Sequence, residues 1–124
     1  MKYQLTNCEI EQLLDNVFQT TPKEGIVVDK KCVSECWTLW DEIRDEPFGL
    51  LINCKNSFSL SFEGRRDISK HPLQQKTAIF CDNIVELERK FRATAQLGET
   101  MGHSLDNCKM FSSRDYAIKW LSDI

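Results

Sequence analysis

The stretch Phe48-Gly49-Leu50-Leu51-Ile52-Asn53-Cys54 is almost continuously apolar, and it decides how the rest of the chain is interpreted. A run of this length without polar alternation is typical of a central strand that is covered on both faces. Asn53 interrupts the run near its carboxyl end, which is the end where functional loops leave the strands of open α/β sheets. The stretch therefore predicts a buried strand with a candidate site just beyond it.

Short apolar strands and amphipathic helices alternate on the C-terminal side of this stretch. Residues 77–81 and 108–111 are short apolar segments that predict two further strands. Helices are predicted over 62–70 and 84–97, and a last helix ends the chain with an apolar stripe from Tyr116 to Ile124. Between them, residues 98–107 contain two glycines and no apolar period, which indicates a mobile loop.

On the N-terminal side, the sequence predicts a β-hairpin followed by a helix. Residues 12–20 and 26–28 flank a polar stretch that contains Pro22 and Gly25, so we expect the hairpin turn over residues 22–25. A helical start around residues 10–14 remains an alternative.

The segment 32–45 predicts an amphipathic helix that Pro47 ends. Its apolar residues recur at steps of three and four, and they include Trp37 and Trp40 on one face. Packing against a sheet is the favoured interpretation of these two rings, and a shelf for a ligand is the alternative.

The order β-β-α-β-α-β-α-β-α predicts an α/β fold. We expect a mixed, mostly parallel central sheet of about five strands, covered by about four helices, with an N-terminal β-hairpin. The 124 residues fit one domain, so we expect residues 1–124 to form a single unit.

Charge and hydropathy restrict the classes of partner and compartment. Sixteen Lys and Arg against nineteen Asp and Glu give a net charge of -3, which argues against sequence-independent nucleic-acid binding. No stretch approaches the ~20 apolar residues of a membrane span, and Glu9 and Glu11 interrupt any signal-like run. A cytoplasmic location is therefore expected.

The six cysteines are spread along the chain without a CxxC motif. We expect most of them to be reduced packing residues. Cys32 and Cys36 share one face of the predicted helix, but the remaining candidate metal ligands, His71, His103 and Cys108, follow no zinc spacing. We expect neither a metal site nor a cofactor.

The C-terminal part resembles a known superfamily. Phe111-Ser112-Ser113, with Ala117 and Trp120-Leu121, is similar to the F-S-S-x-x-x-A-x-x-W-L ending of uncharacterised bacterial members of the STAS or SpoIIAA-like superfamily, which includes the anti-sigma factor antagonists. The likeness extends over roughly residues 25–124. It implies a small, non-enzymatic, regulatory domain that binds an as yet unidentified protein.

The resemblance also implies where such a domain makes contact. Its D-S-S-G motif corresponds to Ser61-Phe62-Glu63-Gly64, so Phe62 stands at the phosphoacceptor position and the functional form of the motif is absent. The hydroxyls that remain lie before a predicted helix N-terminus, where a phosphate would meet free N–H groups. The predicted interaction or phosphosite region comprises Ser57, Ser59, Ser61, Asp82 and Asn83.

Three further hypotheses remain open. A small apolar-ligand or lipid-binding domain would use a pocket lined by Trp37, Trp40, Phe91 and Met101. A thiol enzyme would pair Cys81 or Cys108 with His103. A homodimer would form if apolar residues of the hairpin paired across a sheet edge.

Overall fold

The computed structural model describes residues 1–81 and 107–123. The predicted helix over 84–97 and almost all of the predicted loop over 98–107 lie outside these residues. The described part of the chain forms eight strands and three helices. In chain order they are β1 (Lys2–Gln4), β2 (Cys8–Leu14), β3 (Val17–Pro22), β4 (Val27–Val28), α1 (Lys30–Ile43), β5 (Phe48–Asn53), β6 (Ser59–Leu60), α2 (Phe62–Asp67), β7 (Gln74–Phe80), β8 (Cys108–Phe111) and α3 (Arg114–Ser122).

A mixed six-stranded sheet forms the centre, with the strand order β1-β2-β3-β5-β7-β8. The strands β1, β2 and β3 are antiparallel neighbours, whereas β3, β5, β7 and β8 run parallel. The predicted mixed α/β architecture is confirmed, with β5 at its centre. The expected strand number of about five is too low, because β1 was not predicted and the turn at Asp15 and Asn16 divides the predicted strand 12–20. The predicted strand 26–28 is β4, which pairs outside this sheet.

Three helices occur within the described residues, where about four were expected for the whole chain. The predicted helix without a counterpart is the one over 84–97, which falls outside the described part.

The predicted position of the N-terminal hairpin turn is wrong. The hairpin joins β2 to β3 through Asp15 and Asn16, with Leu14 opposite Val17. Asp and Asn are common in turns, and the Arg44 guanidinium donates a hydrogen bond to the Asp15 carbonyl oxygen at 2.9 Å. Residues 22–25 do turn the chain, with Gly25 at a φ of 75°, but they lead it out of the sheet. As a result β4 pairs in parallel with β6 and not with β3.

One face of the sheet is covered by α1, which carries the largest buried side chain. Trp40 is 1% exposed and packs edge-on against Phe18, with a ring-centroid distance of 5.2 Å, and also against Phe48 at 4.8 Å. The helix begins at an Asp29 cap, whose carboxylate accepts a hydrogen bond from Cys32 N at 3.1 Å. The predicted packing of an amphipathic helix against the sheet is thus confirmed for Trp40.

The opposite face is covered by α3. Ser113 caps this helix by accepting a hydrogen bond from Tyr116 N at 3.4 Å. Leu121 packs over Gly49 so closely that a methyl group at Gly49 would lie 3.0 Å from two of its carbon atoms. The second apolar cluster consists of Val17, Leu51, Ala78, Ala117 and Leu121. Both faces of β5 are therefore buried, which explains why its sequence does not alternate.

Candidate functional site

The predicted serine region lies beyond the carboxyl end of β5. Ser61 caps α2, because its side-chain oxygen accepts a hydrogen bond from Gly64 N at 3.0 Å. Ser59 belongs to β6, and Ser57 donates its backbone N–H to the Glu24 carboxylate at 2.9 Å. The structure therefore brings the three predicted serines together, whereas Asp82 and Asn83 lie outside the described residues.

A close backbone contact fixes α2 against β4. A side-chain carbon at Gly64 would overlap the carbonyl oxygen of Val28, so only glycine fits here. The backbone of Ser61 also donates to that carbonyl oxygen, at 3.0 Å. The glycine that matches the family motif is thus explained by packing.

The side chains that point outward from this region form one surface, which we call the β4–α2 surface. Val27 and Ser59 are register partners in the small sheet, and both are exposed. Phe62, the first residue of α2, is 43% exposed, and the Arg66 guanidinium lies 6.0 Å from its ring centroid. The surface comprises Val27, Ser57, Ser59, Phe62 and Glu63.

Two thiols, of buried Cys8 and of partly buried Cys36, meet between β2 and α1. Cys8, the first residue of β2, is 8% exposed, and its Sγ lies 3.9 Å from Cys36 Sγ on α1. A hydrogen bond from the Cys36 thiol stabilises the Cys8 thiolate and lowers the pKa of Cys8 to about 7, although burial acts in the opposite direction. The same contact raises the pKa of Cys36, because a second ionisation would place two thiolates side by side.

These cysteines line a small cavity between α1 and the sheet. Its walls include Cys8, Cys32 and Cys36 together with both tryptophans of the predicted ligand pocket, Trp37 and Trp40. The other two predicted pocket residues, Phe91 and Met101, lie outside the described residues. The cavity volume is about 40 Å³, far below the ~300 Å³ at which small-molecule pockets begin. In this form the cavity accommodates water-sized molecules and not a lipid.

His71 is buried, and its hydrogen bonds stabilise the fold. Its Nδ1 accepts from Leu73 N at 3.2 Å, so the proton of the neutral ring is on Nε2, which lies 2.9 Å from Asp41 Oδ1. Trp37 packs edge-on against this ring, with a centroid distance of 5.4 Å. Both ring nitrogens are therefore occupied by structural hydrogen bonds.

The predicted thiol–histidine pair receives no support within the described residues. Burial raises the pKa of Cys108 to about 12, which keeps this thiol protonated and poorly nucleophilic. Cys81 is partly exposed, and His103 lies outside the described residues. Cys8 is a thiol with a lowered pKa. Sequence reasoning missed it, because its contact with Cys36 depends on how α1 crosses β2.

Residues 1–81 and 107–123 contain neither a cluster of candidate metal ligands nor a candidate membrane-spanning helix. In these ranges, no three His, Cys, Asp or Glu side chains converge as a metal ion requires. No helix in these ranges is long and apolar enough to cross a membrane.

Comparison with known proteins identifies the class of fold. No protein-family model and no curated protein matches the chain. The fold is SpoIIAA-like. It is similar to the crystal structure of an uncharacterised protein of the DUF3478 family from Shewanella loihica PV-4, which has a SpoIIAA-like fold. The TM-score is 0.54, the sequence identity is 18%, and the match covers 98% of each chain. At this identity the likeness confirms the expected fold and does not transfer a function.

Proposed function

We propose that this chain is a non-catalytic regulatory module of the STAS-like type, which binds a protein partner through the β4–α2 surface. The observation that carries the proposal is the exposure of Phe62 at the first residue of α2. The resemblance places the family's phosphoacceptor at this position. Aromatic side chains are enriched in protein interfaces because they bury a large apolar area with little loss of conformational freedom.

The backbone beneath Phe62 is well suited to recognition because it is already ordered. Ser61 caps the helix, Gly64 packs on the Val28 carbonyl oxygen, and β4 pairs with β6. A surface held in this way loses little conformational entropy when a partner binds, so more of the contact energy appears as affinity.

Phe62 also determines how the contact would be regulated. A phenyl ring has no hydroxyl group, so phosphorylation at this position is chemically excluded. We propose that the partner accepts the ring in an apolar pocket and that the interaction does not depend on a phosphate at position 62. Ser57 and Ser59 are the exposed hydroxyl groups that remain beside it.

Two competing functions have less support. The small-ligand hypothesis needs a pocket several times larger than the cavity of about 40 Å³. The thiol-enzyme hypothesis loses Cys108, whose pKa is raised by burial. We therefore retain the interaction module as the conclusion. The thiols of Cys8, Cys32, Cys36, Cys81 and Cys108 form no disulfide, and we propose a reducing compartment such as the cytoplasm on that basis. A homodimer also remains a prediction, which light scattering tests.

Site-specific photocrosslinking tests the proposal. A photoreactive phenylalanine analogue is placed at position 62 and, as a matched control, at Tyr116, which is 70% exposed on α3 at the opposite face of the sheet. In cells we expect one defined protein adduct from position 62 and none of the same mass from position 116. The same adduct from both positions, or an adduct from position 116 alone, would contradict the proposed surface.

A further inference from the structure

The Cys8–Cys36 pair has the geometry of a dithiol that a small rearrangement would convert into a disulfide. Its two sulfur atoms are in van der Waals contact at 3.9 Å, and they belong to different elements, β2 and α1. Closing the bond requires the sulfurs to approach by about 2 Å, to an S–S length of ~2.05 Å.

The third cysteine of the cavity is engaged elsewhere. Cys32 Sγ accepts a hydrogen bond from Asn7 Nδ2 at 3.1 Å and donates to the Val27 carbonyl oxygen at 3.5 Å. The Cys32 thiol is thus hydrogen-bonded to Asn7 and to β4, and not to Cys8. The close pair is therefore Cys8 with Cys36, and Cys32 provides a matched control one helical turn away from Cys36.

The cavity limits which oxidant reaches the pair. Both sulfur-bearing residues line a space of about 40 Å³, which is enough for a few water-sized molecules. Hydrogen peroxide has two heavy atoms and fits such a space, whereas glutathione disulfide, a pair of tripeptides, is far too large. Cys8 itself is buried, so access through the cavity decides the rate.

We propose that Cys8 and Cys36 form a modification site at which a small hydroperoxide reversibly links β2 to α1 through a disulfide. In the first step the Cys8 thiolate attacks one peroxide oxygen, the O–O bond breaks, and the released hydroxide takes up a proton to become water. Cys36 sulfur then attacks the sulfur of the Cys8 sulfenic acid. The S–O bond breaks, the S–S bond forms, and a second water leaves with the Cys36 proton.

The electron count balances in the oxidation and in its reversal. Two electrons pass from the two sulfurs to one peroxide, which is reduced to two waters. A dithiol reductant restores both thiols by exchange and is itself oxidised to a disulfide. Neither cysteine belongs to the β4–α2 surface, so a failure of this proposal would leave the proposed protein-binding function unaffected.

Peptide mapping of the intact, purified protein tests the proposal. The reduced protein is treated with hydrogen peroxide at a small molar excess, free thiols are alkylated, and disulfide-linked peptides are identified by mass spectrometry. We expect a Cys8–Cys36 linkage as the main product, reversed by a dithiol reductant. We also expect it to raise the midpoint of thermal unfolding by at least about 5 °C. A main linkage through Cys32, or persistence of both thiols after peroxide has oxidised other cysteines, would overturn the proposal.

Two comparisons sharpen the test. C36S should lower the yield of any disulfide to Cys8 at least tenfold, whereas C32S should leave the Cys8–Cys36 yield within twofold. Glutathione disulfide at the same concentration should oxidise the pair at least tenfold more slowly than peroxide. If C32S abolishes the linkage while C36S does not, the assignment of the pair is wrong. Equal rates with both oxidants would contradict the role of the cavity.

Discussion

The β4–α2 surface and the Cys8–Cys36 pair are built in opposite ways. The first is held by backbone contacts between β4 and residues 59–64, and it presents its side chains to solvent, with Phe62 43% exposed. The second consists of Cys8 on β2 and Cys36 on α1, which are 28 residues apart in the sequence and face each other between the two elements. A surface whose backbone is already ordered is suited to binding. In the cysteine pair, by contrast, the groups in contact with the Cys8 thiol set its pKa.

The largest expected effect concerns the backbone contact under the β4–α2 surface. Gly64→Ala places a methyl group against the Val28 carbonyl oxygen and should lower the free energy of unfolding by about 3 kcal/mol or more. Gly25→Ala is the matched control, because Gly25 has a positive φ of 75° but open space around it, and should cost about 1 kcal/mol. Denaturant unfolding measures both. Equal losses would show that α2 does not depend on this contact.

A smaller loss of stability is expected at the cap of α2. Ser61→Ala removes the oxygen that accepts from Gly64 N and should cost about 1 kcal/mol in the free energy of unfolding. The exposed Ser59, two residues earlier in β6, serves as control, and Ser59→Ala should change stability by less than about 0.5 kcal/mol. A stability loss at Ser59 that matches the loss at Ser61 would contradict the capping role.

The next prediction concerns the pKa of Cys8 and how it depends on Cys36. Removing the thiol donor with Cys36→Ala should raise the pKa of Cys8 from about 7 towards its ordinary value of 9.0, because the thiolate loses its strongest stabilising contact. The hydrogen bond from Thr20 and the charge of Lys23 still favour the thiolate, while Glu35 disfavours it. Cys32→Ala should leave the titration unchanged.

Ultraviolet absorbance of the thiolate measures this titration. In the unsubstituted protein the signal should increase as the pH rises through about 7, and in the Cys36→Ala variant it should increase at higher pH. A wild-type protein in which no thiol titrates near 7 would contradict the geometry of the pair.

Local signals in the sequence predicted much of the first region. Ser57, Ser59 and Ser61 were expected beside a helix N-terminus, and they do lie there, with Ser61 capping the helix. The apolar run of β5 also predicted a strand buried on both faces. These features depend on neighbours in the chain, which periodicity and capping rules describe.

Features that depend on distant parts of the chain were not predicted. The turn at Asp15 and Asn16 divides a segment that was interpreted as one strand, and the true partner of β4 is β6, more than thirty residues away. The contact between Cys8 and Cys36 likewise follows from the packing of a helix on a sheet. No local pattern encodes such contacts, because packing partners are chosen by the whole core.

The central claim is that Phe62 mediates binding, and one measurement tests it most directly. The partner captured by crosslinking is purified, and its Kd is measured with the wild-type protein, with Phe62→Ala and with Tyr116→Ala. A central aromatic contact contributes about 2 kcal/mol or more, so Phe62→Ala should weaken binding roughly thirtyfold while Tyr116→Ala changes it less than about threefold. Unchanged affinity in Phe62→Ala, with weakened binding in Tyr116→Ala, would place the interface on the α3 face and contradict the account.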